Sequence, residues 1–75
     1  MQLNYTLTTD KRLTATIEGR KLYIFLDGQL KAIANGCEEI ESTLQYWCNI
    51  YCNDQNEANK VTDMVYNDWV KNLHK

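Results

Sequence analysis

The chain has no proline, three glycines, one histidine and three cysteines in 75 residues. With no proline and no Gly/Ser-rich stretch, nothing reads as a linker, and no repeat or low-complexity segment breaks the pattern. Residues 1–75 therefore read as a single domain. An odd number of cysteines without paired spacing does not make a disulfide framework, which points to a reduced, cytoplasmic protein. No apolar run approaches the roughly 20 residues needed to span a bilayer. The opening "MQLNYTLTTD" has neither the charged nor the apolar region of a secretory leader. The lone histidine, His74, stands next to last, where a catalytic geometry is hard to hold. There is no Ser-His-Asp set, Gly-rich phosphate loop or HExxH motif.

Neither sign of charge dominates the chain, but the charges are unevenly placed. Residues 1–36 carry five Lys and Arg against three Asp and Glu; residues 37–75 carry three against seven. That asymmetry falls short of the basic excess usual in nucleic-acid-binding domains. Aromatics are plentiful for so short a chain, with two Trp and five Tyr. A domain of this size buries only a thin core, and a disulfide, a metal or a second chain commonly supports it.

The pattern predicts an α+β domain: an antiparallel β-meander of three to four strands over residues 1–36, then two helices over residues 37–75 packed on one face of the sheet. "QLNYTLTT" alternates, with Leu3, Tyr5 and Leu7 inward and Asn4, Thr6 and Thr8 outward. "RLTATIEG" repeats this, with Leu13, Ala15 and Ile17 inward and Thr14, Thr16 and Glu18 outward. Gly19 suits one tight hairpin, and Asp27–Gly28 is the strongest hairpin dipeptide in the chain. "QLKAIANG" is read as a fourth strand, or as an irregular approach to the first helix. From Cys37 the period changes. Ile40, Leu44, Trp47, Cys48 and Tyr51 share one helical face, and Glu38, Glu39 and Glu41 crowd the positive end of the helix dipole. Asp54 with Glu57 fits a capping box for a second helix. Its apolar stripe is Ala58, Val61, Val65, Trp69 and Leu73, with Met64 beside it and Trp69 only partly covered by so small a sheet.

"KLYIFL" raises a question of its own, because five apolar residues run without alternation. If Leu22, Ile24 and Leu26 face the helices, Tyr23 and Phe25 face the other way, among the threonine rows and Lys21, Gln29, Lys31 and Ile33. Three explanations stand. Aromatics beside threonines can stabilise a sheet by cross-strand packing alone. An aromatic centre with a polar rim can anchor another protein. A sheet bearing aromatics and flanking cations, here Thr14, Thr16, Lys21, Tyr23, Phe25 and Lys31, can stack single-stranded bases. "KLYIFLDG" is similar over these eight residues to the first sheet motif of RNA-recognition domains. The partner motif is absent and the strand–helix order differs, so no residue role is transferred.

The helices offer a second candidate surface: an acidic face of Glu38, Glu39, Glu41, Asp63 and Asp68 studded with Tyr46, Ile50 and Tyr66. Such a face suits a basic protein partner. Cys48 and Cys52 lie four apart, but Cys37 and His74 lack zinc-ligand spacing, so neither a metal nor another cofactor is expected. Cys37 at the mouth of a helix could be reactive, although three glutamates oppose a thiolate there.

The expectation is a small, non-catalytic protein-binding module acting stoichiometrically by occluding a larger partner, of which a nucleic-acid-processing complex is one candidate. No membrane role is expected. In profile it resembles the compact inhibitors encoded by phages and mobile elements, anti-CRISPR proteins among them: small, without catalytic motifs, a short sheet with helices. No motif carries that likeness. The alternatives are a nucleic-acid-binding domain using the sheet around Tyr23 and Phe25, and a homodimerising structural domain with "QLNYTLTT" as its exposed edge.

Overall fold

The computed structural model describes residues 1–74. Four strands, β1 (Gln2–Thr6), β2 (Arg12–Glu18), β3 (Lys21–Leu26) and β4 (Gln29–Asn35), are followed by α1 (Cys37–Tyr51) and α2 (Gln55–Leu73). The strands form one antiparallel sheet in the order β1-β2-β3-β4. This is the α+β meander with two helices that the patterning predicts. No described helix is long and apolar enough to cross a membrane.

The turns follow from their residues. Glu18 pairs with Lys21 and Leu26 with Gln29, so each of these hairpins closes in two residues. Gly19 takes φ +60 in the first, and Asp27 and Gly28 take φ +50 and +84 in the second. Positive φ at both central residues matches the right-handed twist of the flanking strands. Asp27 also clamps the neighbouring strand end. Its carboxylate accepts from Arg12 N, its own N–H donates to the Arg12 carbonyl, and Lys11 Nζ lies 3.7 Å away.

β1 is shorter than its alternation predicts. Beyond Thr6 the chain turns, with Leu7 N donating to the Lys11 carbonyl and Asp10 N to the Leu7 carbonyl. "QLKAIAN", in contrast, is a full strand with one β-bulge. Ala32 lies opposite Ile24 and Leu30 opposite Phe25, leaving Lys31 as the extra residue.

Both helices cover the same face. α1 packs over β3 and β4, and α2 over β2. Ala32 and Ala34 on the inner side of β4 leave room for α1 to approach. Between the layers lie Leu13, Ala15, Ile17, Leu22, Ile24, Leu26, Ile40, Leu44, Val65 and Trp69. Trp69 is fully buried, against the expectation of partial cover. Tyr66 lies 5.9 Å from it, ring to ring, and adds to the cover of the core in which it sits. Its Nε1–H and the buried Thr62 hydroxyl have no hydrogen-bond partner among the described residues.

Polar contacts fasten α2 to the first strand and its turn. Asp54 caps α2 by accepting from Glu57 N at 2.8 Å. Glu57 reaches back past the cap to accept from Asn53 N, and also takes the Thr8 N–H and hydroxyl, each at 2.8 Å. Those donors pull the Glu57 carboxyl below its ordinary pKa. Further along, the Tyr5 hydroxyl donates to Asp68. Between the helices, Gln45 and Gln55 each donate to both Asn49 and Asn59, an amide cluster on the solvent side.

Candidate functional site

Alternation in β2 and β3 puts residues 12, 14, 16 and 18, and 21, 23 and 25, on the face away from the helices. The register then sets their neighbours. Tyr23 lies between Thr16 and Ile33, and Phe25 between Thr14 and Leu30. Tyr23 and Phe25 are half-buried; Leu30 and Ile33 are 50% and 52% exposed. Together these four side chains make an apolar square across β3 and β4 on a face that no described element covers. Gln2, Thr14, Thr16, Phe25 and Gly28 line an open hollow beside it.

The bulge decides the composition of this square. Even alternation through β4 would place Gln29, Lys31 and Ile33 outward. The extra residue resets the phase, so Leu30 rather than Lys31 stands beside Phe25. Lys31 is half-buried, with Nζ 3.3 Å from Gln29 Oε1. Thr14 also departs from expectation. It faces outward yet is buried, because it sits in a central strand between Phe25 and Asn4 and donates its hydroxyl to Asn4 Oδ1 at 2.9 Å. Lys21 is exposed at the rim, opposite Glu18 on one side and Asn35 on the other.

The acidic helical face is divided. Glu38 and Glu41 flank an open hollow with Ser42 and Gln45, on the side of α1 that meets α2. Glu39 is turned towards β4, where its carboxylate accepts from Asn35 N at 3.1 Å. Tyr46 lies round the helix from Gln45 and packs edge-on against Trp47, 5.2 Å between centroids, while Trp47 stacks on Tyr51. Lys11 Nζ stands over the Tyr51 ring. Asp63 is exposed on the outer side of α2. Tyr66 faces α1: a side-chain hydrogen bond with Cys37, partial desolvation and the charge of Glu41 raise its hydroxyl pKa. Tyr46 therefore does not share a surface with Asp63 and Tyr66.

The cysteines are free thiols. Burial pushes up the pKa of Cys48, and burial with the neighbouring Cys48 raises that of Cys52 to about 12, so both thiols stay protonated at neutral pH. Cys37 is exposed at the start of α1. Among the described residues no three His, Cys, Asp or Glu side chains are grouped to hold a metal ion. Sequence reasoning missed Leu30 as a surface residue; the exposed Ile33 was already in its row. No family model matches this chain, and no curated protein or solved structure is similar to it.

Proposed function

We propose that this chain is a small, non-catalytic protein-binding module that acts stoichiometrically, covering a surface of a larger partner with the outer face of its sheet. The observation that carries this reading is the uncovered apolar square of Tyr23, Phe25, Leu30 and Ile33. Its two aromatics are held in place by Thr14 and Thr16, so little side-chain freedom is lost on binding. Its rim is polar, with Lys21 and Asn35 at one end and Arg12 and Thr14 at the other. An apolar centre with a polar rim is the anatomy of a hot spot. The small size and absence of a recognisable catalytic motif fit the profile of phage and mobile-element inhibitors, anti-CRISPR proteins included. In that setting the partner is a nucleic-acid-processing complex in the cytoplasm.

Base stacking on the same rings is the second reading, favoured by Lys21 and Arg12 at the rim. Glu18 opposite Lys21 and Asp27 at Arg12 N offset those cations locally. Capture experiments with and without nuclease separate the two readings. Leu30→Ser and Ile33→Ser alter half-exposed side chains and should leave the fold intact. A nuclease-resistant partner captured by the parent chain and lost from this double variant is the expected result. Hydrogen-exchange protection of β3 and β4 in the complex should accompany it. Capture unchanged in the variant refutes the assignment to this face, and steeply salt-dependent, nuclease-sensitive capture moves it to nucleic acid.

A further inference from the structure

The sheet has two edges, and they are unlike. β4 carries a bulge and Lys31, two devices that blunt an edge against pairing. β1, Gln-Leu-Asn-Tyr-Thr, has no charge, no glycine and no bulge. Its hydrogen bonds to β2 alternate. Met1 and Ile17 exchange both of theirs, and Leu7 N donates to the Lys11 carbonyl. Leu3 and Tyr5, two and four residues on from Met1, therefore also turn their backbone groups to β2. The N–H and C=O groups of Gln2, Asn4 and Thr6 point away from the sheet, with no backbone partner among the described residues.

The flank of α2 above this edge supplies a second, independent observation. Glu57, Lys60, Met64, Asp68 and Lys71 recur at i, i+3, i+7, i+11 and i+14, one stripe on a helix. The stripe lies on the β1 side, because Glu57 holds Thr8 and Asp68 holds Tyr5. Read outward from Met64, its charges are opposite at equal distances: Lys60 against Asp68, and Glu57 against Lys71. Such a stripe is complementary to an antiparallel copy of itself. Neither Lys60 nor Lys71 has an ion-pair partner among the described residues. Met64 at its centre is 39% exposed.

We propose that two copies of this chain associate by antiparallel pairing of β1 about a two-fold axis at Asn4, with α2 lying beside α2 of the second copy. Asn4 then pairs with Asn4, and Gln2 with Thr6, using the free groups just described. Three such pairs exchange about six hydrogen bonds. Thr6 and Thr8 share an open hollow with Glu57, Lys60 and Met64, and Tyr5 reaches Asp68, so the β1 edge runs beside the stripe. Lys60 meets Asp68 of the second copy, Glu57 meets Lys71, and the two Met64 side chains meet on the axis. Pairing doubles the four-stranded sheet and sets two outer faces side by side. The contact uses a surface other than the Tyr23–Ile33 face and does not depend on the function proposed for it.

Light scattering on a size-exclusion column, run across a concentration series with circular dichroism as the folding check, tests this. The parent chain should run at twice its chain mass. Asn4→Lys places two like charges directly opposite each other on the axis and should raise the dissociation constant by at least about tenfold. Lys60→Glu, on the exposed helix surface, should weaken association without touching the strand, and high salt should partly restore it. Ile33→Ser should leave the dimer unchanged. A monomer at every concentration overturns the proposal. A dimer indifferent to both Asn4→Lys and Lys60→Glu also overturns it, as does one weakened only by Ile33→Ser.

Discussion

Tyr5→Phe is the most informative single change, because it removes one oxygen and leaves the ring in place. The Tyr5 hydroxyl donates to Asp68 Oδ2 at 2.5 Å, across 63 positions of sequence. A hydrogen bond to a charged acceptor is worth about 1.5–3 kcal/mol. Both side chains are only half-buried, so water recovers part of the loss, and the expected cost is about 1–2 kcal/mol. For a domain of this size that lowers the thermal midpoint by about 5–15 °C. A cycle with Asp68→Asn isolates the pair, and the double variant should be less destabilised than the sum of the two single ones.

The same bond sets a pH dependence. Burial, the hydrogen bond to Asp68 and the Asp68 charge all push the Tyr5 hydroxyl above its ordinary pKa of 10.0. The folded state therefore prefers the protonated hydroxyl. Its contribution is complete below about pH 10 and is lost as pH rises towards the higher folded value. The gap between parent and Tyr5→Phe should hold from neutral pH to about pH 10 and shrink above it. A Tyr5→Phe midpoint within experimental error of the parent at pH 7, or strict additivity with Asp68→Asn, would refute the assignment of this contact as a clamp between β1 and α2.

Two further changes probe other parts of the same logic. Glu57→Gln removes a carboxylate whose pKa is lowered by backbone hydrogen bonds from Asn53 and Thr8, so the folded state prefers it ionised. That contribution is present above the ordinary value of 4.5 and lost as pH falls through the lower folded value. The variant should be less stable at pH 7 and show a flatter acid limb in chemical denaturation, and an acid limb identical to the parent's would contradict this. Deleting Lys31 removes the bulge residue while keeping Phe25 opposite Leu30 and Ile24 opposite Ala32. The variant should fold with both faces unchanged but aggregate more readily, since its edge is straighter and less charged; loss of the native amide spectrum would show that the bulge is required for the register.

The strands and both helices were legible because each rests on local chemistry. Leu13, Ala15 and Ile17 alternate with threonines, Asp27–Gly28 fits one turn, and Asp54 with Glu57 starts a helix. The bulge was not legible, because Gln29, Lys31 and Ile33 alternate as evenly with Leu30, Ala32 and Ala34 as in any regular strand. Only pairing with β3 shows where the extra residue falls, and with it that Leu30 joins the surface beside Phe25. The division of the acidic face was not legible for a different reason. Glu38 and Glu41 share one side of α1, but Glu39, about 100° round from Glu38, turns towards β4. Composition records their nearness along the chain and not their direction. Trp69 was misjudged because Tyr66, one turn away on the same helix, adds to its cover, which does not come from the sheet alone.

The bonds that join Thr8 to Glu57 and Tyr5 to Asp68 also bear on the order of folding. β2, β3 and β4 close through two-residue turns, and α1 and α2 through a short connection, so these contacts form early and at little loop-closure cost. β1 reaches its place beside β2 through the longer turn of residues 7–11, but its fastening comes from α2, which follows all four strands in the chain. During synthesis the first strand is therefore paired before it is locked, and for that interval its open edge is held by the ladder to β2 alone. Fraying of that strand towards other chains is greatest just before α2 emerges, and it falls when one glutamate and one aspartate arrive.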